Sequence, residues 1–130
     1  MPDGFTHRSL NEVEDSAPKF GFEDNQEARF ASEAMETEHT GLSFHRVKPG
    51  KRQGFGHWHE DAEEVYVVLA GSGRMKLDDE IIELAERDAV RVPGPVTRAF
   101  EAGDDGLEVL AFGPLRTDDK GDIEIGWWSD

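Results

Sequence analysis

The stretch Gly54-Phe55-Gly56-His57-Trp58-His59-Glu60-Asp61-Ala62-Glu63-Glu64-Val65-Tyr66-Val67-Val68-Leu69-Ala70-Gly71 decides how this chain folds. It opens on a short aromatic run, crosses a small acidic segment, and resumes as β-branched and aromatic residues up to a glycine. Both runs read as strands joined by a short loop. Residues two apart in a strand share a face, so His57 and His59 project into one space. Glu64 starts the next strand, and an antiparallel neighbour brings its carboxylate beside the two imidazoles. By the same alternation Tyr66 and Val68 accompany Glu64, and Phe55 accompanies His57. Glu60, Asp61 and Glu63 fall in the loop and read as solvated.

Working outward, the same rhythm continues in both directions. Runs at Ala28 to Met35 and Gly41 to Val47 precede the stretch, with Lys48-Pro49-Gly50 as a break. After it, Gly71-Ser72-Gly73 reads as a tight turn into Arg74 to Leu77, and Asp78-Asp79 as a hairpin turn into Ile81 to Leu84. Ala89 to Val92 is stopped by Pro93-Gly94-Pro95, and Val96 to Glu101 and Leu107 to Phe112 complete the set. Short runs with turn punctuation and no sustained helical period predict an all-β sandwich or barrel. Residues 1-26 are polar and aperiodic and read as an irregular arm packed on the barrel, which spans 27-116. The tail, 117-130, is charged at first and ends in Trp127-Trp128, whose apolar area predicts packing on the barrel or on a partner subunit.

The chain has 130 residues, enough for one domain with its own core. It carries 14 basic against 29 acidic residues, a net charge of −15. Phosphate backbones and anionic membrane surfaces are therefore poor partners. The acidity reads as a solubility coat, or as a funnel for cationic ligands. There are no cysteines, which excludes disulfides and thiolate metal sites. Met1 to Leu10 lacks the apolar centre of a signal peptide, and no apolar run approaches the ~18 residues of a membrane span. A cytoplasmic location is the expectation.

Two neutral imidazoles and one carboxylate suit a divalent first-row metal such as Fe, Mn, Ni, Cu or Zn. Three ligands leave coordination positions open. The stretch resembles the first conserved motif of the cupin superfamily: two His separated by one residue, then Glu64 at the family's spacing, then Gly71 after six more residues. The resemblance covers about residues 40 to 113. It implies a double-stranded β-helix, a jelly-roll barrel with its metal inside, and a homodimer, since small cupins commonly pair through barrel edges.

The family's second motif is Gly-Asp, then a Pro-Gly, a His that supplies the fourth ligand, and an Asn. Here the matching stretch runs from Arg87-Asp88 through Pro93-Gly94 to Arg98 and Ala102. Arg87 replaces the Gly, Arg98 the His and Ala102 the Asn. Guanidinium has no lone pair to offer a metal and stays charged, so Arg98 cannot stand in as a ligand. It suits Glu64 as a charge-assisted partner, or an anionic ligand.

Two readings follow. In one, His57, His59 and Glu64 hold a metal, Arg98 faces a small anionic substrate, Tyr66 donates a proton, and the protein is a dioxygenase- or isomerase-like enzyme. In the other, the site is metal-free and the protein is a non-catalytic binder of a small ligand. Phe55, Tyr66, Arg98 and Phe100 are the expected pocket residues in both. His45, on the strand before the motif, is a candidate substitute ligand, and Arg46 is the alternative residue of that strand to face the pocket.

Overall fold

The computed structural model describes residues 4–115 and 118–129. Eight strands form one curled antiparallel sheet: β1 (Gln26–Phe30), β2 (Thr40–Val47), β3 (Phe55–His59), β4 (Glu64–Leu77), β5 (Glu80–Leu84), β6 (Ala89–Val92), β7 (Arg98–Pro114) and β8 (Gly121–Ile125). The path β1-β2-β7-β3-β8 forms one part, and β4 joins it to β5 and β6 by pairing with β5, β6 and β7. The result is an all-β jelly-roll barrel. Among the described residues the only α-helix is the single turn α1 (Ser32–Met35). No helix among the described residues is long and apolar enough to cross a membrane.

The first predicted strand, Ala28 to Met35, stops at Phe30. Ala31 to Met35 favour helix over strand by intrinsic propensity, and Glu36 closes the turn with a left-handed φ of 56°. Ser32 Oγ accepts the Leu42 N–H, which ties the turn to β2.

The glycines at 71 and 73 make no turn. β4 runs through them, with register shifts against β7 between Val68 and Ala70 and between Gly71 and Gly73. Gly71 has a φ of 80°, and a Cβ there would strike the Gly106 carbonyl. The glycines therefore mark bulges where two long strands pass too close for side chains. β7 is likewise one strand, where the sequence suggested two. Arg87, at the position where the family pattern has Gly, keeps the glycine-like φ of 72°.

Inward residues of β4 and β7 make the core. Val68, Met75, Phe100, Leu107 and Val109 are all nearly inaccessible, with Val47 and Val92 beside them. Each such apolar side chain stabilises the fold by roughly 1.5–3 kcal/mol. Tyr66 and Ala111 belong both to this core and to the cavity beside it.

Arm and tail are stitched onto the barrel. Asp15 Oδ1 accepts N–H bonds from Ala17 and Ala28, tying the arm to β1. Phe22 packs on Phe55 at 5.3 Å between centroids and occupies the space left by Gly54. In the tail, β8 pairs along the whole of β3, from Phe55↔Ile125 to His59↔Gly121. Trp128 is buried under Arg52 and Arg74, whose guanidinium carbons lie 4.7 and 5.4 Å from its ring and which both hold Glu101. Lys76 Nζ sits 4.6 Å from the Trp127 ring. Both tryptophans thus pack on their own barrel.

Candidate metal centre

β3 carries His57 and His59 on one face, and β4 begins with Glu64 beside them. The three offer one ligand atom each, all within 4.8 Å of one another. Glu64 Oε1 is the hub: it lies 3.5 Å from His57 Nε2 and 3.4 Å from His59 Nε2, and accepts the Tyr66 hydroxyl at 2.5 Å. The imidazoles stand nearly perpendicular, at 88°, with centroids 5.3 Å apart. Two donors held ~2.1 Å from one ion at the tetrahedral angle are ~3.4 Å apart. Charge-assisted N–H···O bonds are shorter, ~2.7–2.9 Å. The three groups therefore lie close enough to hold a common ion, and the donor set suits a first-row divalent metal.

Burial pushes His57 below its ordinary pKa, against the pull of Glu64, so its imidazole is neutral and ready to ligate. His59 is held above its ordinary value, first by its interaction with Glu64 and also by the Asp119 charge. Burial raises the Glu64 carboxyl, but the neighbouring His57 and His59 imidazoles and the Tyr66 hydroxyl outweigh it and hold it well below the usual carboxylate range. Burial, together with the Glu64 charge, raises Tyr66 well above its usual value, so it stays a phenol and a donor.

The structure brings Phe55 and Tyr66 into the lining of a cavity of about 430 Å³ together with the triad. Arg98 and Phe100 are not in that lining. Arg98 is directly opposite His57 in the β3–β7 register and is fully buried. Its Nη1 donates to the carbonyls of Gly94 and Val96 at 3.1 and 3.0 Å, and its Nη2 lies 3.5 Å from Glu64 Oε1. Its guanidinium approaches the same Glu64 oxygen as the two imidazoles but lies outside the cavity lining. Phe100 packs edge-on to Tyr66 at 5.2 Å within the core. On β2 it is His45 that faces the cavity; Arg46 lies on the outside, near Glu108.

Several lining residues lie outside the motif: Phe20 from the arm, Phe30 from β1, Ser43 and Gln53, and Ile123 from β8. Asp119 was read only as part of a charged tail. Its Oδ2 faces His59 Nδ1 at 3.1 Å, and its Oδ1 accepts the N–H groups of Asp61 and Ala62. Nothing local in the sequence marks these residues, apart from the parity that Ser43 shares with His45.

His45 contacts Ser43 Oγ through Nε2 at 2.8 Å and packs edge-on to Phe30. Its Nδ1 has no partner among the described residues. Burial, and secondarily the neighbouring His57, push its pKa from 6.5 down to about 4, despite the opposing pull of Glu64. The fold therefore holds the neutral ring, while the unfolded chain binds a proton first as pH falls. The stability this ring contributes is complete above its unfolded value and is lost toward the folded one. His45→Asn should lose about 2 kcal/mol less stability than the wild type between about pH 7 and about pH 4.5. Melting curves at the two pH values check this; equal losses would show that another group carries the effect.

A family model for the cupin domain matches residues 43–113. The chain belongs to the cupin family. No curated protein matches it significantly in sequence. Among solved structures, the polyketide cyclase RemF from Streptomyces resistomycificus is similar at a TM-score of 0.74 and 17% identity, over 98% of this chain and 89% of that one. A cupin-superfamily sugar phosphate isomerase from Silicibacter pomeroyi gives 0.73 and 17%, over 91% and 81%. A salicylate 1,2-dioxygenase from Pseudaminobacter salicylatoxidans gives 0.66 and 16%, over 77% of this chain and 30% of that one. At these identities the likeness is one of fold.

Proposed function

We propose that this protein is a metal-dependent cupin that binds a small organic molecule through acidic oxygens and transforms it in a dioxygenase- or isomerase-like reaction. The carrying observation is the 3.4 and 3.5 Å spacing of the imidazole nitrogens from Glu64 Oε1. His57, His59 and Glu64 hold the metal. A divalent ion there supplies Lewis acidity and open positions for a substrate oxygen. Tyr66, kept protonated, donates to Glu64 and fixes its orientation. Arg98 acts as a buried counter-charge, and with a divalent ion leaves the centre net positive. An anionic chelating group suits that charge.

The rest of the ligand is apolar. Phe20, Phe30, Phe55 and Ile123 line the cavity, and the described lining contains no Lys or Arg. A phosphate remote from the metal would find no cationic partner. The reading therefore favours a largely apolar body over a sugar phosphate. A homodimer belongs to the same proposal on the family resemblance alone.

A second reading, a metal-free ligand binder, is favoured by Arg98: a fixed cation already sits 3.5 Å from the ligand oxygen. Metal analysis separates the two. The protein, incubated with Fe, Mn, Ni or Zn and freed of excess ion, should retain about one equivalent. Retention below about a tenth of an equivalent for every ion would reject the metal reading.

A further inference from the structure

Asp119 stands 60 residues from His59 along the chain, yet it touches two parts of the metal centre. One carboxylate oxygen faces His59 Nδ1 at 3.1 Å, while His59 Nε2 points at Glu64. The other oxygen accepts the Asp61 and Ala62 N–H groups at 2.8 and 3.0 Å. These two residues belong to the loop that sets the separation of His59 from Glu64. The Asp119 side chain is only 5% exposed. Next to it, the Lys120 carbonyl accepts the Glu60 N–H, and β8 then pairs along β3 up to Phe55.

We infer that Asp119 is the positioning residue of the metal centre, and that β8 belongs to the site as a strap whose docking is coupled to metal binding. The inference rests on the metal reading above. An imidazole ligates through a bare nitrogen, so its proton must sit on the other one. An acceptor at Nδ1 holds the proton there, leaves Nε2 free for the ion, and raises its basicity. The same carboxylate anchors the 60–63 loop. An ion that favours this arrangement of His59 therefore favours a docked strap, and the reverse holds to the same extent.

Asp119→Asn separates positioning from plain structural support. Its carbonyl oxygen can still accept both loop amides. Its amide nitrogen only donates, so toward His59 Nδ1 it favours the proton on Nε2, the tautomer that cannot ligate. Asp119→Ala removes both roles, and Asp119→Glu keeps the acceptor. The experiment measures Zn²⁺ affinity of the full chain by competition with a chelator, melting of the metal-free protein, and amide exchange of residues 121–125 with and without Zn²⁺. Asp119→Asn should weaken Zn²⁺ binding about 10–100-fold with little change in metal-free melting, and Asp119→Glu should restore part of the loss. Zn²⁺ should slow exchange in β8 of the wild type and leave it unslowed in Asp119→Asn. Affinity of Asp119→Asn within about threefold of the wild type would overturn the positioning role. Wild-type β8 exchange indifferent to bound Zn²⁺ would overturn the coupling. A wild type that binds no Zn²⁺ or other divalent ion defeats the metal reading itself, and this assignment with it.

Discussion

Glu64→Gln is expected to lower metal affinity by about a hundredfold or more and to weaken the metal-free fold as well. The affinity loss follows from chemistry: the amide oxygen is a weaker donor and carries no charge to set against the ion. The stability loss follows from Arg98. Its guanidinium is fully buried, and Glu64 is the carboxylate it faces. Removing one partner of a buried ion pair costs about 3–5 kcal/mol, because the remaining charge is stranded. The effect should sit toward the lower end, since Gly94 and Val96 carbonyls still accept from Arg98 Nη1. Adding Arg98→Met to Glu64→Gln removes the stranded charge and should recover part of the stability, less what the Gly94 and Val96 carbonyls lose with their donor, while the carboxylate's share of the metal affinity stays lost. Metal titration and denaturant unfolding of the single and double variants read the two effects separately. Unchanged metal affinity in Glu64→Gln would remove the carboxylate from the ligand set. Stability has a matching acid limb. The depressed Glu64 carboxyl contributes above its unfolded value of about 4.5, and that contribution is lost as pH falls toward the lower folded value.

Arg98→His should move the two properties in opposite directions. Residues directly opposite in an antiparallel pair share a face, and Arg98 lies opposite His57. An imidazole at 98 would therefore lie on the same face as His57. The change removes a fixed positive charge near the ion and adds a lone pair. Metal affinity should rise about tenfold or more, since a unit charge a few Å away is worth more than ~1.4 kcal/mol even at an effective dielectric of about 20. Metal-free stability should fall, because the Gly94 and Val96 carbonyls lose their donor. Arg98→Met isolates the charge term and should give a smaller gain. No gain in either variant would mean that the barrel interior around position 98, and not its charge, limits the ion.

How much of this was legible beforehand depended on how local each feature is. The triad was readable because strand parity and a short loop place His57, His59 and Glu64 together whatever the rest of the barrel does. Phe55 and Tyr66 followed from the same parity. Gly71-Ser72-Gly73 reads as a turn but forms bulges, because a glycine is equally suited to both and only the nearness of β7 decides between them. Arg98 is expected from the sequence to line the pocket, but the inner face of a barrel has depth. Its guanidinium reaches the Gly94 and Val96 carbonyls and never enters the cavity lining.

The sequence by itself determined the all-β class and the three convergent donors, because repeating strand patterns and i, i+2 geometry are short-range properties of the backbone; the barrel followed from the resemblance to the cupin motif. Only the tertiary structure decided that Arg98 is a buried counter-charge, that His45 and not Arg46 faces the cavity, and that Asp119 steadies His59. Those facts depend on which strands lie side by side after closure, and Asp119 meets His59 across 60 residues of chain. No local pattern encodes such a meeting, since either residue alone is compatible with solvent.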